Sequence, residues 1–431
     1  MSSLRIRSPT FFETLVFPGL VLVALVGSSF GGGTALPTVT PFKTLDSSGL
    51  QAAVDPYPPC TTEIFDGYAR CGAVSMAYDA SDHYTIVYMI CLYGTRVIGF
   101  DSCTWQYSNG TWTNITSASG ASPLPLLPTS LVWDAADGVI LLFGGLPYDH
   151  TGTWASLWSY RAGVWTNLSA SIPAELSDKF FEGSIYDSSD ACAIVLFRSV
   201  TPSVGSQPAS FFTSTWTYRS DSWSNVTNNS TVAHELPIVP SLADDPVDSG
   251  AVLYGGTIPT GPTNSTWLFS RGEWHPVSVR SSPPTRAQPS MTYDSFDDYV
   301  LLIGGSAPSC TASTCAALTD EWTFSHGQWT NITASVRGSP PAEVGGRMTS
   351  DLADGYVLEG FGTPYESAAG NAGYQQDLYG FANGTWTAWA PPPASTAFWD
   401  QLAFLALLCG IAIGGVVSIV WIRRSRSPKA G

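Results

Sequence analysis

Positive charge is what this 431-residue chain has least of: 18 Lys and Arg stand against 34 Asp and Glu. Six of those bases lie in residues 1–36 and 402–431, which hold one acid. The segment between therefore carries 12 bases against 33 acids, a net charge of −21. Such a surface repels nucleic acid, and no nucleic-acid partner is expected. Beyond the N-terminal apolar segment, Gly-x-Ser-x-Gly elbows and phosphate-binding loops are missing, which removes the commonest hydrolase and nucleotide signatures. Cysteine is limited to eight and histidine to five. Cys310-x4-Cys315 has no partner pair of Cys or His at zinc spacing. No cofactor or metal is expected.

What is present is repetition. The stretch NGTWTNIT at 109–116 returns as NGTWTAW at 383–389, with relatives at 162, 220, 271 and 326. The second Trp of each unit is Trp112, Trp165, Trp223, Trp274, Trp329 and Trp386, at intervals of 53, 58, 51, 55 and 57 residues. Seven residues earlier stands Trp105, Trp158, Trp216, Trp267, Trp322 or Tyr379. Five residues earlier stands Tyr107, Tyr160, Tyr218, Phe269, Phe324 or Phe381. Repeats of this length signal a solenoid, a propeller or an array. Locally, Asn109-Gly110 favours the left-handed angles of a type I′ turn, which pairs Tyr107 with Trp112. Alternation then puts Trp105, Tyr107 and Trp112 on one face, where core packing is the expected role.

Each unit also carries an upstream hairpin, as in residues 131–145 and 291–305. Its turn holds Asp-x-x-Asp in all six units: Asp79/Asp82, Asp134/Asp137, Asp187/Asp190, Asp245/Asp248, Asp294/Asp297 and Asp351/Asp354. Asp side chains nucleate turns. Calcium is the sharper reading, but a pair of carboxylates is thin for an ion that takes six to eight oxygens. Each unit thus reads as four antiparallel strands, A to D, and the fold class as all-β. At this point the chain resembles the kelch-repeat β-propellers, the family that includes the propeller of galactose oxidase. The marks are a double Gly ending strand B (Gly144-Gly145, Gly255-Gly256, Gly304-Gly305), then the aromatics of strands C and D. Unit 1 departs with Tyr93-Gly94, unit 3 with Phe197-Arg198 and unit 6 with Phe361-Gly362. The resemblance implies a six-bladed propeller over residues 65–390. Galactose oxidase-like copper chemistry would need two His and two Tyr ligands. Here His83, His275 and His326 fall on turns or strand D, and only His150 and His234 lie in long loops.

The ends place the chain. Residues 1–36 read as a signal peptide or signal anchor, with Arg5 and Arg7 before an apolar run. Residues 37–64 form an N-terminal segment in which 41–49 resembles strand D and could close the ring. Residues 391–401 form a Pro-rich stalk. Residues 402–422 carry no charge and are long enough to span a bilayer. The basic tail, 423–431, is expected in the cytoplasm, leaving the propeller extracellular on a single-pass cell-membrane protein. Cysteine usage fits an oxidising compartment, with Cys60/Cys71, Cys91/Cys103 and Cys310/Cys315 as candidate disulfides and Cys192 as a buried hydrophobe. Nine glycosylation sequons begin at Asn109, Asn114, Asn167, Asn225, Asn228, Asn229, Asn264, Asn331 and Asn383. A glycan there would protect an exposed strand edge. Because the motif is part of the repeat, the nine are not independent signals.

The A–B and C–D turns are short and share one face; the B–C and D–A loops share the other and vary most. Binding residues concentrate on variable loops, so Tyr148, Asp149, His150, Tyr365, Tyr374 and Gln375 are the candidate contact residues. The expected function is a non-catalytic, membrane-anchored recognition or adhesion module for glycan or protein, with no catalytic residues. The alternative is a membrane-tethered enzyme, galactose oxidase-like or glycan-hydrolysing. The loop acids Asp149, Glu366 and Asp377 cannot be paired from the sequence.

Overall fold

All six C–D turns take the left-handed geometry that their sequences favour. Both central residues have positive φ: 50° and 73° at Asn109-Gly110, 48° and 84° at Ala162-Gly163, and 45° and 62° at Ser220-Asp221. Tyr107 pairs with Trp112 and Ser108 with Thr111, the register the two-residue turn dictates. The computed structural model describes residues 71–93, 99–147, 155–201, 210–229, 235–307, 317–364 and 378–389. They belong to one unit, Leu50–Gly431. The signal segment, the ring-closing strand at 41–49, the stalk, the span at 402–422 and the tail all lie outside them. Among the described residues no helix is long and apolar enough to cross a membrane.

The chain is an all-β propeller of six four-stranded antiparallel blades. The inner strands, A, are Cys71–Asp79, Leu126–Asp134, Phe180–Asp187, Ser241–Asp245, Ser290–Asp294 and Arg347–Asp351. Each blade is built from strands consecutive in sequence, so blades 1 and 6 join by contact across their faces. Thr85 Oγ1 donates to Asp351 Oδ2 at 3.1 Å, Asn109 N to Asp354 Oδ2 at 2.9 Å, and Arg347 Nε to the Val74 carbonyl at 2.7 Å.

The core is a set of slabs between blades. Trp105, Tyr107 and Trp112 of blade 1 pack on Leu358, Phe361 and Leu378 of blade 6. The other five interfaces repeat this arrangement. Radial packing is what lets a four-stranded sheet bury both faces. The strand D Trp also makes a polar clasp. Trp165 Nε1 donates to Thr104 Oγ1 at 3.0 Å, Trp274 Nε1 to Thr215 Oγ1 at 3.0 Å, and Trp329 Nε1 to Thr266 Oγ1 at 2.8 Å. In each case the acceptor immediately precedes the strand C Trp of the preceding blade. Glu321 takes the acceptor position for Trp386, at 2.9 Å. Blade 2 has Leu157 there, and the Nε1 of Trp223 in blade 3 is buried without an acceptor.

The Asp pairs are turn formers. Asp79 Oδ1 accepts from Ser81 N at 2.9 Å and Asp82 N at 3.2 Å, and the first Asp of the other five turns repeats one or both bonds. The second Asp of three turns, Asp137, Asp248 and Asp354, reaches the next blade, as where Gly327 N donates to Asp248 Oδ2 at 2.8 Å.

Four sequons have a similar structural explanation. Asn114, Asn167, Asn225 and Asn331 end strand D, and each Oδ1 accepts from the backbone N–H two residues on, at 2.8–3.1 Å. The hydroxyl of that second residue then accepts the strand C N–H of Thr104, Leu157, Thr215 or Glu321, at 2.9–3.1 Å. Asn109, Asn114, Asn167, Asn225, Asn228, Asn264, Asn331 and Asn383 are exposed, and Asn229 ends the short helical turn Thr227–Asn229. A disulfide joins Cys91 to Cys103 across strands B and C of blade 1, with Cα atoms 5.9 Å apart. Cys192 is a free, buried thiol, and burial pushes its pKa up to about 12. The backbone of Cys71 lies opposite Cys91. Cys60, Cys310 and Cys315 lie outside the described residues.

Candidate functional site

A cavity of about 820 Å³ runs along the propeller axis, walled by strand A of all six blades. It extends from the segments that lead into those strands to the A–B turns at Ala80, Ala135, Ser188, Ser295 and Leu352. Its wall carries many hydroxyls. Ser75, Ser130, Ser241 and Ser290 each stand four residues before the first Asp of their blade's turn, with Gly183 and Arg347 in that position in blades 3 and 6. Part of this polarity is spent on the ring itself: Ser75 Oγ and Thr129 Oγ1 are 2.8 Å apart, and Ser241 Oγ donates to the Pro289 carbonyl at 3.1 Å.

Two carboxyl groups line the cavity, Glu182 and Asp244. Glu182 stands one residue before Gly183, where the other blades place Val74, Thr129, Pro240, Pro289 and Gly346. Its Oε1 lies 2.9 Å from Arg198 Nε, and its Oε2 accepts from Val239 N at 2.7 Å. The Glu182 side chain is only 3% exposed. Burial raises its pKa, and the opposing pull of Arg198 does not cancel the rise. Asp244 sits at the A–B turn end, where it accepts from Ser188 N at 3.1 Å. Burial is the main cause that pushes it up to about 7. In register the two stand four residues apart, roughly 13 Å along the strands at 3.3 Å per residue. That exceeds the roughly 5–9.5 Å between the two carboxyls of a glycosidase. Glu182 and Asp244 are therefore separate groups at opposite ends of one cavity.

Arg198 explains the local architecture. It occupies the second Gly position of unit 3. In blades 2, 4 and 5 that position must be Gly, because the segment entering strand A passes against it. A Cβ on Gly145 would meet the Leu127 carbonyl oxygen at 2.4 Å, on Gly256 that of Ile238 at 2.6 Å, and on Gly305 that of Ala287 at 2.7 Å. In blade 3 the entering segment joins the ladder, as it also does in blade 2, with Arg198 opposite Phe180 and a bulge between Leu196 and Phe197. Bulges re-aim side chains beside functional sites. The guanidinium carbon lies 5.0 Å from the Phe180 ring centroid and 5.8 Å from that of Phe211, within cation–π range.

A second group of carboxyls lies behind the wall at blades 5 and 6: Glu321, Glu343 and Glu359, at 0%, 5% and 2% exposure. Burial, then the charge of Glu343, holds Glu359 well above the ordinary carboxylate range. The carboxyls occupy Cβ space. A side chain on Gly346 would meet Glu359 Oε1 at 2.4 Å, and one on Gly362 would overlap Glu343. Among the described residues no group of three or more His, Cys, Asp or Glu could hold a metal ion.

Tyr148, Asp149, His150, Tyr365, Tyr374 and Gln375 lie outside the described residues, as do His150's loop partner His234 and the acids Glu366 and Asp377. Sequence reasoning missed Glu182 and Asp244. The available signal for Glu182 was an acid at a register position that is uncharged in the other five units. Arg198 was visible only as a break in the double Gly.

No family model matches the chain, and no curated protein does. Solved structures similar to it include the α-L-arabinofuranosidase Arb93A of Fusarium graminearum, as a point variant with an iminosugar inhibitor and as a second inhibitor complex. Both are 13% identical and cover 74% of this chain and 95% of theirs, with TM-scores of 0.47 and 0.46. A GH93 α-L-arabinofuranosidase of the same organism with arabinobiose gives the same identity and coverage, with a TM-score of 0.47. Likeness at this level concerns the propeller fold alone. These structures are described as glycoside hydrolases, neither kelch proteins nor galactose oxidases. The expectation of a non-catalytic recognition module working through its outer loops is corrected to its alternative, a glycan-hydrolysing enzyme. The physical reason lies in the molecule: its polar concavity is axial, and a buried carboxyl with a raised pKa lines it.

Proposed function

We propose that this protein is a glycan-hydrolysing enzyme that works in the axial cavity, with Glu182 as the proton donor to the leaving group and water taking up the glycosyl group and releasing a proton to solvent. The observation that carries the reading is Glu182 itself. It lines an open cavity, is almost fully buried, and is raised in pKa by that burial. A general acid must be protonated at working pH, and burial is a usual way to keep it so. The hydroxyl-rich wall suits a polyol, and a volume of about 820 Å³ fits within the usual range of ligand cavities. The apolar run 402–422 and the basic tail support a propeller tethered outside a membrane.

The test is Glu182→Gln in the purified full-length protein, measured on a panel of aryl glycosides and polysaccharides. Glutamine preserves the shape and cannot donate a carboxylic proton. The variant should lose on the order of 10²–10⁴-fold in kcat, the usual contribution of a positioned acid, with KM little changed. Wild-type kcat should fall as pH rises through the raised pKa. Retained turnover in the variant sinks the assignment of Glu182, and no turnover of any glycoside by wild type sinks the hydrolase reading.

A further inference from the structure

We propose that Arg198, held beside the cavity by its ion pair with the cavity-lining Glu182, forms a subsite for an acidic sugar, one bearing a carboxylate or a sulfate ester. This rests on the hydrolase reading and adds the substrate class. Arg198 is 25% exposed in its side chain and is held on one edge only, by Glu182 at Nε. Among the described residues its Nη groups make no hydrogen bond. Two arginines of other blades are committed by contrast: Arg347 donates to the carbonyls of Val74, Gly345 and Gly346, and the fully buried Arg286 donates to Pro284, Gly304 and Asp320.

Orientation is fixed as well as charge. Phe180 and Phe211 flank the guanidinium, and the ion pair with Glu182 anchors its Nε edge. A planar fork with two free N–H groups matches a carboxylate or sulfate in a bidentate geometry. The chain departs from its own repeat to place this side chain, giving up the Gly that the other five units keep in that position. The broad acidity of the propeller makes an uncommitted cation beside the cavity more discriminating, since acidic surfaces repel the same ligand. The subsite also connects to the proton donor. An anion on Arg198 offsets the positive charge beside Glu182, and so favours the protonated carboxyl that donation requires.

The experiment titrates the purified full-length protein, by calorimetry and without reading turnover, with three trisaccharides: galacturonate, galactose and sulfated galactose. At least one anionic probe should bind on the order of tenfold tighter than the neutral one, as a charge-assisted bidentate contact provides. That advantage should shrink between 50 mM and 500 mM salt. Arg198→Gln should abolish it, and Arg198→Lys, which keeps charge without the fork, should retain part. Which anion binds tighter identifies the group recognised. Equal binding of all three probes, no binding of either anion, or an undiminished advantage in a folded Arg198→Gln protein overturns the proposal. The wild-type comparison stands even if a variant fails to fold. Anion preference without hydrolysis of any glycan defeats the hydrolase reading alone, and hydrolysis without anion preference defeats this inference alone.

Discussion

At the scale of single residues, much of the repeat is hydrogen-bond accounting. A Trp in a blade interface has one donor to satisfy, and a Thr of the preceding blade accepts it in three interfaces. Thr266→Val keeps the volume and removes the acceptor from Trp329 Nε1. The change should cost about 1–3 kcal/mol, the penalty of a buried donor left unpaired. Blade 3 offers the reverse experiment, since Leu157 holds the acceptor's place in the repeat and the Nε1 of Trp223 is orphaned. Chemical denaturation of Thr266→Val and Leu157→Thr measures both. A Thr266→Val protein as stable as wild type would show that the clasp contributes nothing. The aromatic triplets were legible in the sequence because a fixed spacing and a two-residue turn determine which side chains share a face. The acceptors were not, because Thr104 meets Trp165 across 61 residues and the position holds Thr in only three units, with Leu157, Glu321 and Leu378 in the others.

At the scale of elements, the informative places are those where one unit departs from the rest. The segments entering strand A in blades 4, 5 and 6 put the same register position in left-handed backbone: Val239 at φ 52°, Gln288 at 52° and Gly345 at 74°. A β-branched residue is a poor occupant of that region, and Val239 is 46% exposed, so packing offers little compensation. Its N–H holds Glu182, which ties the strain to the candidate site. Val239→Gly should raise stability by about 1 kcal/mol, the relief of the strain less the added chain entropy of Gly. Denaturant midpoints check it, and a lower midpoint would mean that the Val side chain contributes more than its backbone costs. The hairpins and Asp turns were legible as elements. The Glu182–Arg198 pairing was not, because it depends on a bulge that shifts register between Leu196 and Phe197.

At the scale of the whole molecule, the carboxyls define the behaviour. Asp244 and Asp245 are pushed up to about 7, in each case chiefly by burial, and Glu359 is held well above its ordinary range. A carboxyl whose folded pKa lies above its unfolded value binds more protons in the native state, so stability falls as pH rises between the two. For Asp244 and Asp245 that window runs from the ordinary carboxylate range to about 7. The net charge of −16 at pH 7 adds repulsion in the same direction. Thermal unfolding should therefore occur several degrees higher at pH 5 than at pH 8, with a smaller difference in Asp244→Asn. A melting temperature that rises toward pH 8 would contradict this. The fold was legible at this scale from six units in register; the axial site was not, because strands A meet only once the ring is closed. The most direct measurement of the central claim is an experimental structure of the full-length Glu182→Gln protein with a bound oligosaccharide. The account predicts a sugar ring in the axial cavity, within hydrogen-bonding reach of the residue 182 side chain. A sugar bound on the outer loops, with the axial cavity holding only solvent, would contradict it.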